Sequence, residues 1–376
     1  MDQFSSAERK QKLADIQHSP HPAEMAAMKY SGLALIVLFF ASDPAVYNQV
    51  IRGTVLDCQT HKRVPEALVY FSGTFVSTGS DKNGRFELDI SEFSSMPVTI
   101  SAPGYYSMTI TIVTPAKPVL VNLTPKEKRI GIYSSEHDRN RKENLRLFRT
   151  TFLGTTRNAH KCKILNEDDI GFISETGSDT LKVFCPGPLL IDNMALGYRA
   201  VYFLDDFELC RKKGTFLLSG NISFSRDLAT ESTGNDGFAG RRKEAYLGSR
   251  MYFFRLLWNN SLDSAGYMVK NSDDEYLNCG QITRRTDSLA KYLKCPFRQI
   301  ENQAGKTPSY YIVFREADLI YDKKGNPNPH YISVIYAEQD IYFDKNGYFD
   351  PANISWQGKM ARQRLADMLP FEYPIK

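Results

Sequence analysis

Two short clusters, Asp81-Lys82-Asn83-Gly84 and Asp344-Lys345-Asn346-Gly347, place oxygen-bearing side chains next to glycine and so raise calcium binding first. A helix–loop–helix calcium loop needs oxygen ligands at positions 1, 3 and 5, glycine at 6 and a bidentate glutamate at 12. Counted from Asp81, the glycine comes two places early, and Glu92 stands where the last ligand should be without the intervening ones. Turn chemistry fits the residues better. An Asp side chain caps backbone N–H groups, Asn and Gly tolerate positive φ, and alternating residues flank both sides, so both clusters are expected as tight hairpin turns.

Other routes to catalysis close in the same way. His21 and Glu24 form a His-x-x-Glu pair, but in a Pro-rich polar stretch ahead of an apolar export segment. His61, His137, His160 and His330 have no second ligand at zinc-binding spacing. Ser288-Leu289-Ala290-Lys291 has the Ser-x-x-Lys spacing that lets a lysine activate a serine one helical turn away. The supporting Lys-Thr-Gly is here Lys306-Thr307-Pro308, so the expectation is a solvated helical turn. No nucleophile elbow, phosphate-binding loop or dinucleotide fingerprint is present. No catalytic residue, metal ligand or cofactor is expected.

Aromatic residues offer a different chemistry. With 21 Tyr and 23 Phe but two Trp, the chain could present a sugar- or peptide-binding face, since Tyr combines apolar area with a hydroxyl. The clusters Tyr105-Tyr106, Tyr252-Phe253-Phe254 and Tyr310-Tyr311 are the candidates for such a face, with Tyr105, Tyr106, Tyr310 and Tyr311 foremost, while most aromatics are expected in the core. The formal net charge of +4 is small and the cations are mixed with acids, which argues against a nucleic-acid partner.

The elements that would carry these residues fall in two groups. From residue 49 to 123 short segments alternate at period two between turn residues: "VIRGTVLD", "ALVYFSG", "TFVSTGSD", "RFELDI", "PVTISAPGY", "YSMTITI" and "PVLVNL". That spacing predicts an antiparallel β-sandwich. Residues 124–136, reached through the Pro- and Lys-punctuated stretches "VTPAKP" and "LTPKEKR", read as a linker, and residues 137–376 as a larger mixed α+β domain. A helix is predicted from Asp138 as cap to Gly154, with Leu145, Phe148 and Phe152 on one face. A second helix spans "RRKEAYLGSRMYFFRLLWNN", with Leu247, Met251, Phe254 and Trp258 aligned. Strands follow "LKVFC", "PLLIDN", "GYRAVYFLDDFEL" and "GTFLLSGNISFS", the last with Phe216, Leu218, Ile222 and Phe224 on one face. "SYYIVFREADLIYD" and "YISVIYAEQDIYFDKNGYF" are expected as hairpin strands, and "QGKMARQRLADML" as a closing helix.

Residues 1–48 read as a polar extension plus signal peptide. Arg9, Lys10 and Lys12 precede an uninterrupted apolar run from Leu33 to Ala41. The run is about half the length that crosses a bilayer, so a cleaved signal is expected, with a cut between Ala41 and Gln49. A membrane-anchored form and a buried element are the alternatives, and Met28 is an alternative start. Six widely spaced cysteines allow one or two disulfides, or serve as small buried apolar residues.

The stretch from "IRGTVLDCQTHKRVPEALVYFSGTFVSTGSDKNGRFELDI" to "VTISAPGYYSMTITI" resembles the carboxypeptidase regulatory-like domain, a transthyretin-like (prealbumin-like) β-sandwich common in exported bacterial proteins. The resemblance rests on Gly53, Val55, Asp57, Thr60, Pro65, Ala67, Val69, Thr78, Asp81, Gly84, Phe86, Ser101, Gly104 and Tyr105. "TFLGTTRNAHKCKILN", "LLIDNMALGYRAVYFLDDFEL", "EAYLGSRMYFFRLL" and "QRLADMLPFEYP" resemble the region that accompanies such domains in uncharacterised exported proteins. The resemblance implies a fold and no activity, because such modules accompany enzymes and non-enzymes alike. The expectation is therefore a non-catalytic binding or scaffolding component of the bacterial cell envelope, periplasmic or outer-membrane-associated, whose partner is an envelope protein or saccharide. The alternatives are a hydrolase with a dispersed active site in residues 137–376 and a saccharide-binding module.

Overall fold

Val50–Asp57 (β1) shows how the first core forms: Ile51, Gly53, Val55 and Asp57 point inward while Arg52 faces solvent, the period-two pattern of a strand with one covered face. In this computed structural model the described residues are 49–111, 117–126, 140–174, 179–228, 237–271, 275–286, 290–295, 310–314, 332–337, 339–352 and 354–374. The expected signal peptide with His21 and Glu24, linker residues 127–136, and His137, Asp138, Ser288 and His330 lie outside them.

All seven strands expected between residues 49 and 123 are present. β1 lies between Arg85–Asp89 (β4) and Val119–Leu123 (β7) in one sheet. The other sheet runs Ser77–Gly79 (β3), Leu68–Phe71 (β2), Val98–Ser101 (β5), Met108–Ile110 (β6). Ile51, Val55, Val69, Phe71, Phe86, Leu88, Val98, Ile100, Val121 and Leu123 fill the space within this sandwich. The expectation of a wholly antiparallel sandwich needs one correction. β7 runs parallel to β1, with Gly53 opposite Val119. Any Cβ at Gly53 would lie 2.5 Å from the Val119 carbonyl oxygen, so this close pairing requires glycine.

The Asp81 cluster is a turn, but not one within a hairpin ladder, because β3 pairs with β2 and β4 with β1. It carries the chain from one sheet to the other. Asp81 accepts from the backbone N–H groups of Asn83 and Arg85, both at 2.8 Å, and Gly84 adopts φ +68°. The Asp344 cluster repeats this geometry. Asp344 accepts from Asn346 N–H at 2.9 Å and Tyr348 N–H at 3.1 Å, and Gly347 has φ +82°.

A second core forms around two long paired strands, Tyr198–Cys210 (β12) and Phe216–Asp227 (β13). They belong to a six-stranded sheet with Cys162–Ile164 (β8), Gly171–Ser174 (β9), Thr180–Phe184 (β10) and Leu189–Asn193 (β11). The first helix, Arg141–Phe152 (α1), sets Phe148 5.1 Å from the Phe207 ring and Phe152 4.9 Å from Tyr202. Its expected face is present; Asn140 is the N-cap residue. Of the four residues expected on one face of β13, Ile222 and Phe224 are buried, whereas Phe216 is 37% exposed.

The second expected helix is two. Phe238–Leu247 (α2) stops at Gly248, and Ser249 caps a new helix, Arg250–Trp258 (α3), by accepting the Tyr252 N–H. The serine cap restarts the helix, leaving Leu247 exposed while Met251 and Phe254 are buried. α3 supplies Phe253, Phe254 and Leu257 to a third core. That core also takes residues from Tyr267–Lys270 (β14), Ile332–Ala337 (β19) and Ile354–Gly358 (β21), which share a sheet with Tyr276–Leu277 (β15) and with the backbone of Tyr310–Phe314 (β18), and from Lys291–Leu293 (β17) and Ile341–Phe343 (β20), which share another with Thr283–Arg285 (β16). β18 and β19 pair as expected, but β20 pairs with β17, so β19 and β20 are not a hairpin.

The closing helix is also corrected. "QGKMARQRLADML" contains the end of β21 and two 3-10 turns, Met360–Arg362 and Leu365–Asp367. Its backbone groups are taken by outside partners: Ser333 accepts the Met360 N–H, Arg250 takes the Met360 carbonyl, and Leu153 accepts the Ala366 N–H. An α-helix would need those groups for its own ladder. Asn48–Lys376 form one compact unit, in which the sandwich is tied to the later sheets by Gly73 N–H to Ile222 O, Phe224 N–H to Thr74 O and Ser95 to Asp344. Among the described residues no helix is long and apolar enough to cross a membrane.

Candidate functional site

The turn after β5 holds the first pair of candidate aromatics and points them in different directions. Gly104 donates its N–H to the Pro186 carbonyl and accepts from Lys126 N–H, while Tyr106 N–H donates to Thr124. These bonds fix 104–106 at the seam between the sandwich and the six-stranded sheet. Tyr105 turns inward, and its hydroxyl donates to Asp57 Oδ2 at 2.9 Å. Asp57 Oδ1 meanwhile accepts from Thr60 N–H at 2.7 Å and Gln59 N–H at 2.8 Å. The Thr60 N–H, with help from Tyr105 and Gln59, holds this carboxyl below the usual carboxylate range. Burial, then the Asp57 bond and charge, pushes the Tyr105 phenol up.

Tyr106 faces outward and is 39% exposed. The Lys126 ammonium lies 5.4 Å from the centre of its ring. Lys126 is itself anchored, donating to the Leu204 carbonyl at 2.6 Å and lying 3.5 Å from Asp205. Asp205 occupies a bulge in β12, where the register against β13 shifts between Leu204 and Asp206. The extra residue aims the carboxylate at the sandwich, where Ser107 donates to it through its N–H at 2.9 Å and its hydroxyl at 3.1 Å. Met108, two residues beyond Tyr106 on β6, is 38% exposed. The site is thus an exposed tyrosine just ahead of, and an exposed methionine at the start of, a short strand at the end of its sheet, with a fixed cation at one side.

Tyr310 and Tyr311 are in another sheet. Their backbones lie within β18, where Tyr310 is paired with Ile335 and Tyr311 with Val334 and Lys270. The structure therefore places the four candidates in two separate sheets. The third candidate cluster belongs to the interior, since Phe253 and Phe254 are buried and Tyr252 packs against the core.

Several interior polar groups had no motif to announce them. Arg255, 3% exposed, donates to the carbonyls of Asn346, Phe371 and Tyr373 and to the Tyr246 hydroxyl. A single charge inside the apolar run "MYFFRLLW" was its one sequence signal. Asp367 accepts from Thr156 and Asn158 through Oδ1, while its buried Oδ2 has no hydrogen-bond partner among the described residues. Burial raises its pKa. Lys291 departs from the expected solvated helical turn: it begins strand β17, is 7% exposed, and donates to the Trp258 carbonyl at 2.5 Å. A strand does not give the one-turn spacing that a Ser-x-x-Lys pair uses.

All six cysteines are free, and Cys162, Cys185, Cys279 and Cys295 are buried, which matches their reading as small apolar residues. Burial pushes the Cys162 thiol up to about 12 and that of Cys185 to about 11, leaving both poor nucleophiles. Among the described residues no group of three or more His, Cys, Asp or Glu side chains could hold a metal ion.

No curated protein matches this chain. A family model, the CarboxypepD_reg-like domain, matches residues 51–132. That span takes in all of the sandwich from Ile51 onward, including Asp57, Tyr105 and Tyr106, and this part of the chain is a carboxypeptidase regulatory-like domain.

Proposed function

We propose that this protein is an exported, non-catalytic binding or scaffolding component of the bacterial cell envelope, with Tyr106 at the centre of its contact surface. The observation that carries the reading is the division of labour between neighbouring tyrosines. Tyr105 is spent on the Asp57 bond, whereas Tyr106 stays exposed beside a cation fixed by Leu204 and Asp205. Interior ionisable groups support the same reading, since Asp57, Asp344 and Arg255 are engaged with backbone groups and not with one another. Export is supported by the basic residues and apolar run that precede the sandwich.

Within that reading a saccharide is the favoured ligand. An exposed tyrosine ring offers an apolar face for a sugar ring, with the Lys126 ammonium beside it. The test is a titration of the full chain with peptidoglycan fragments and neutral oligosaccharides, followed by mass analysis of the saccharide. Saturable binding with the saccharide intact supports the proposal. Cleaved saccharide would instead support a hydrolase with dispersed residues in 137–376.

A further inference from the structure

Arg250 opens α3 and Arg364 stands between the two 3-10 turns near the C-terminus, and both reach the same short stretch of backbone. Arg250 donates through Nε at 3.1 Å and Nη2 at 3.0 Å to the Met360 carbonyl. Arg364 curls back to the carbonyls of Ala361 and Gln363 through Nη1. Each guanidinium also lies on an aromatic ring: Arg250 5.0 Å from the centre of Trp356, Arg364 4.8 Å from Phe216. Backbone and ring together fix both cations in place, half-buried.

What they lack is an acid. Neither arginine has a carboxylate partner among the described residues, whereas Arg199 pairs with Asp192 and Arg242 with Asp227. The carboxylate of that same segment, Asp367, is turned to Thr156 and Asn158. A guanidinium carries five N–H donors, and among the described residues Arg250 Nη1 and Arg364 Nε and Nη2 have no hydrogen-bond acceptor. The N-terminus of α3 adds positive potential at the same place, its first N–H held by Gln363 Oε1 at 3.1 Å. Burial, and then the charge of Arg364, pulls the Arg250 guanidinium down to about 10.

We infer that Arg250 and Arg364 together form a binding site for a small oxyanion, a phosphoryl or carboxylate group carried by a ligand. The free N–H donors of the two guanidiniums supply charge-assisted hydrogen bonds, and partial burial strengthens them relative to a surface pair. The site is independent of Tyr106 and does not rest on the saccharide reading.

The experiment titrates the full chain with inorganic phosphate, and separately with acetate, at constant ionic strength set by chloride. Thermal unfolding and the emission of Trp356, which touches Arg250, are followed together. The expected result is a saturable rise in melting temperature with a change in emission, weakened about tenfold or more in R364Q. A response to phosphate alone assigns a phosphoryl group, and a response to acetate as well assigns carboxylates. If R364Q is too unstable, R364K keeps the charge without the planar fork and is expected to bind more weakly than the native chain. The inference is overturned if phosphate acts no differently from chloride, or if both Arg364 variants respond as the native protein does.

Discussion

The Tyr105 hydroxyl and the Asp57 carboxylate meet at 2.9 Å, joining the end of β1 to the turn that follows β5 in the opposite sheet. Tyr105→Phe is therefore expected to lower the melting temperature while leaving ligand binding unchanged. The sign of its pH dependence follows from Asp57. A carboxyl whose folded pKa is lowered contributes stability at neutral pH and loses it as pH falls through the folded value. The gap in melting temperature between the native protein and Tyr105→Phe should narrow on acidification. A gap that widens below pH 4 would contradict this role.

Arg255 should behave as a structural clamp. Its guanidinium joins α3 to the turn at Asn346 and to the C-terminal residues Phe371 and Tyr373. Arg255→Met leaves three buried carbonyls without that donor, and the expected loss is about 3 kcal/mol in urea denaturation. Arg255→Lys should recover part of it, since an ammonium donates three bonds but cannot match the span of the planar fork.

The two Asp-Lys-Asn-Gly turns make a paired test of one geometry. At Gly84 an added Cβ would lie 2.6 Å from the Val55 carbonyl oxygen, and at Gly347 2.5 Å from that of Met251, both at positive φ. Gly84→Ala and Gly347→Ala should each cost more than about 1 kcal/mol, measured by denaturant unfolding. Little or no loss at either position would show that the turn relaxes more freely than the geometry allows.

Asp367 predicts a gain. Its Oδ2 is buried without a partner among the described residues, and its raised pKa means that the folded state favours the protonated form. The stability tied to that proton is complete below the unfolded pKa and is lost as pH rises through the folded value. Asp367→Asn keeps one oxygen for Thr156 and Asn158 and removes the charge. The variant is expected to be more stable than the native protein by roughly 1 kcal/mol at neutral pH, with the difference vanishing in acid. Denaturation at pH 4 and pH 8 checks both the size and the sign.

Much of the sandwich was legible because its strands alternate cleanly and its turns carry Asp, Asn and Gly where the backbone needs them. The parallel pairing of β7 with β1 was not, since period-two patterning shows which face is buried and not which neighbour is paired. In the later region apolar periodicity located α1 but overran Gly248 and Ser249, where a side-chain cap restarts the helix. The helical pattern of "QGKMARQRLADML" failed for a tertiary reason: Arg250, Ser333 and Leu153 claim its backbone groups. At the candidate site, Tyr105 and Tyr106 could be named from sequence, but their opposite roles depend on Asp57 and Lys126. Those two partners come from the end of β1 and from the residues beyond β7, a juxtaposition created by the fold.

The most direct test of the binding account compares Tyr106→Ala, Tyr105→Phe and the native chain in one calorimetric titration with peptidoglycan fragments and neutral oligosaccharides. The account predicts that Tyr106→Ala loses binding with its melting temperature nearly unchanged, whereas Tyr105→Phe binds as the native chain does but melts earlier. Native-like binding by Tyr106→Ala, or loss of binding in Tyr105→Phe alone, would contradict it.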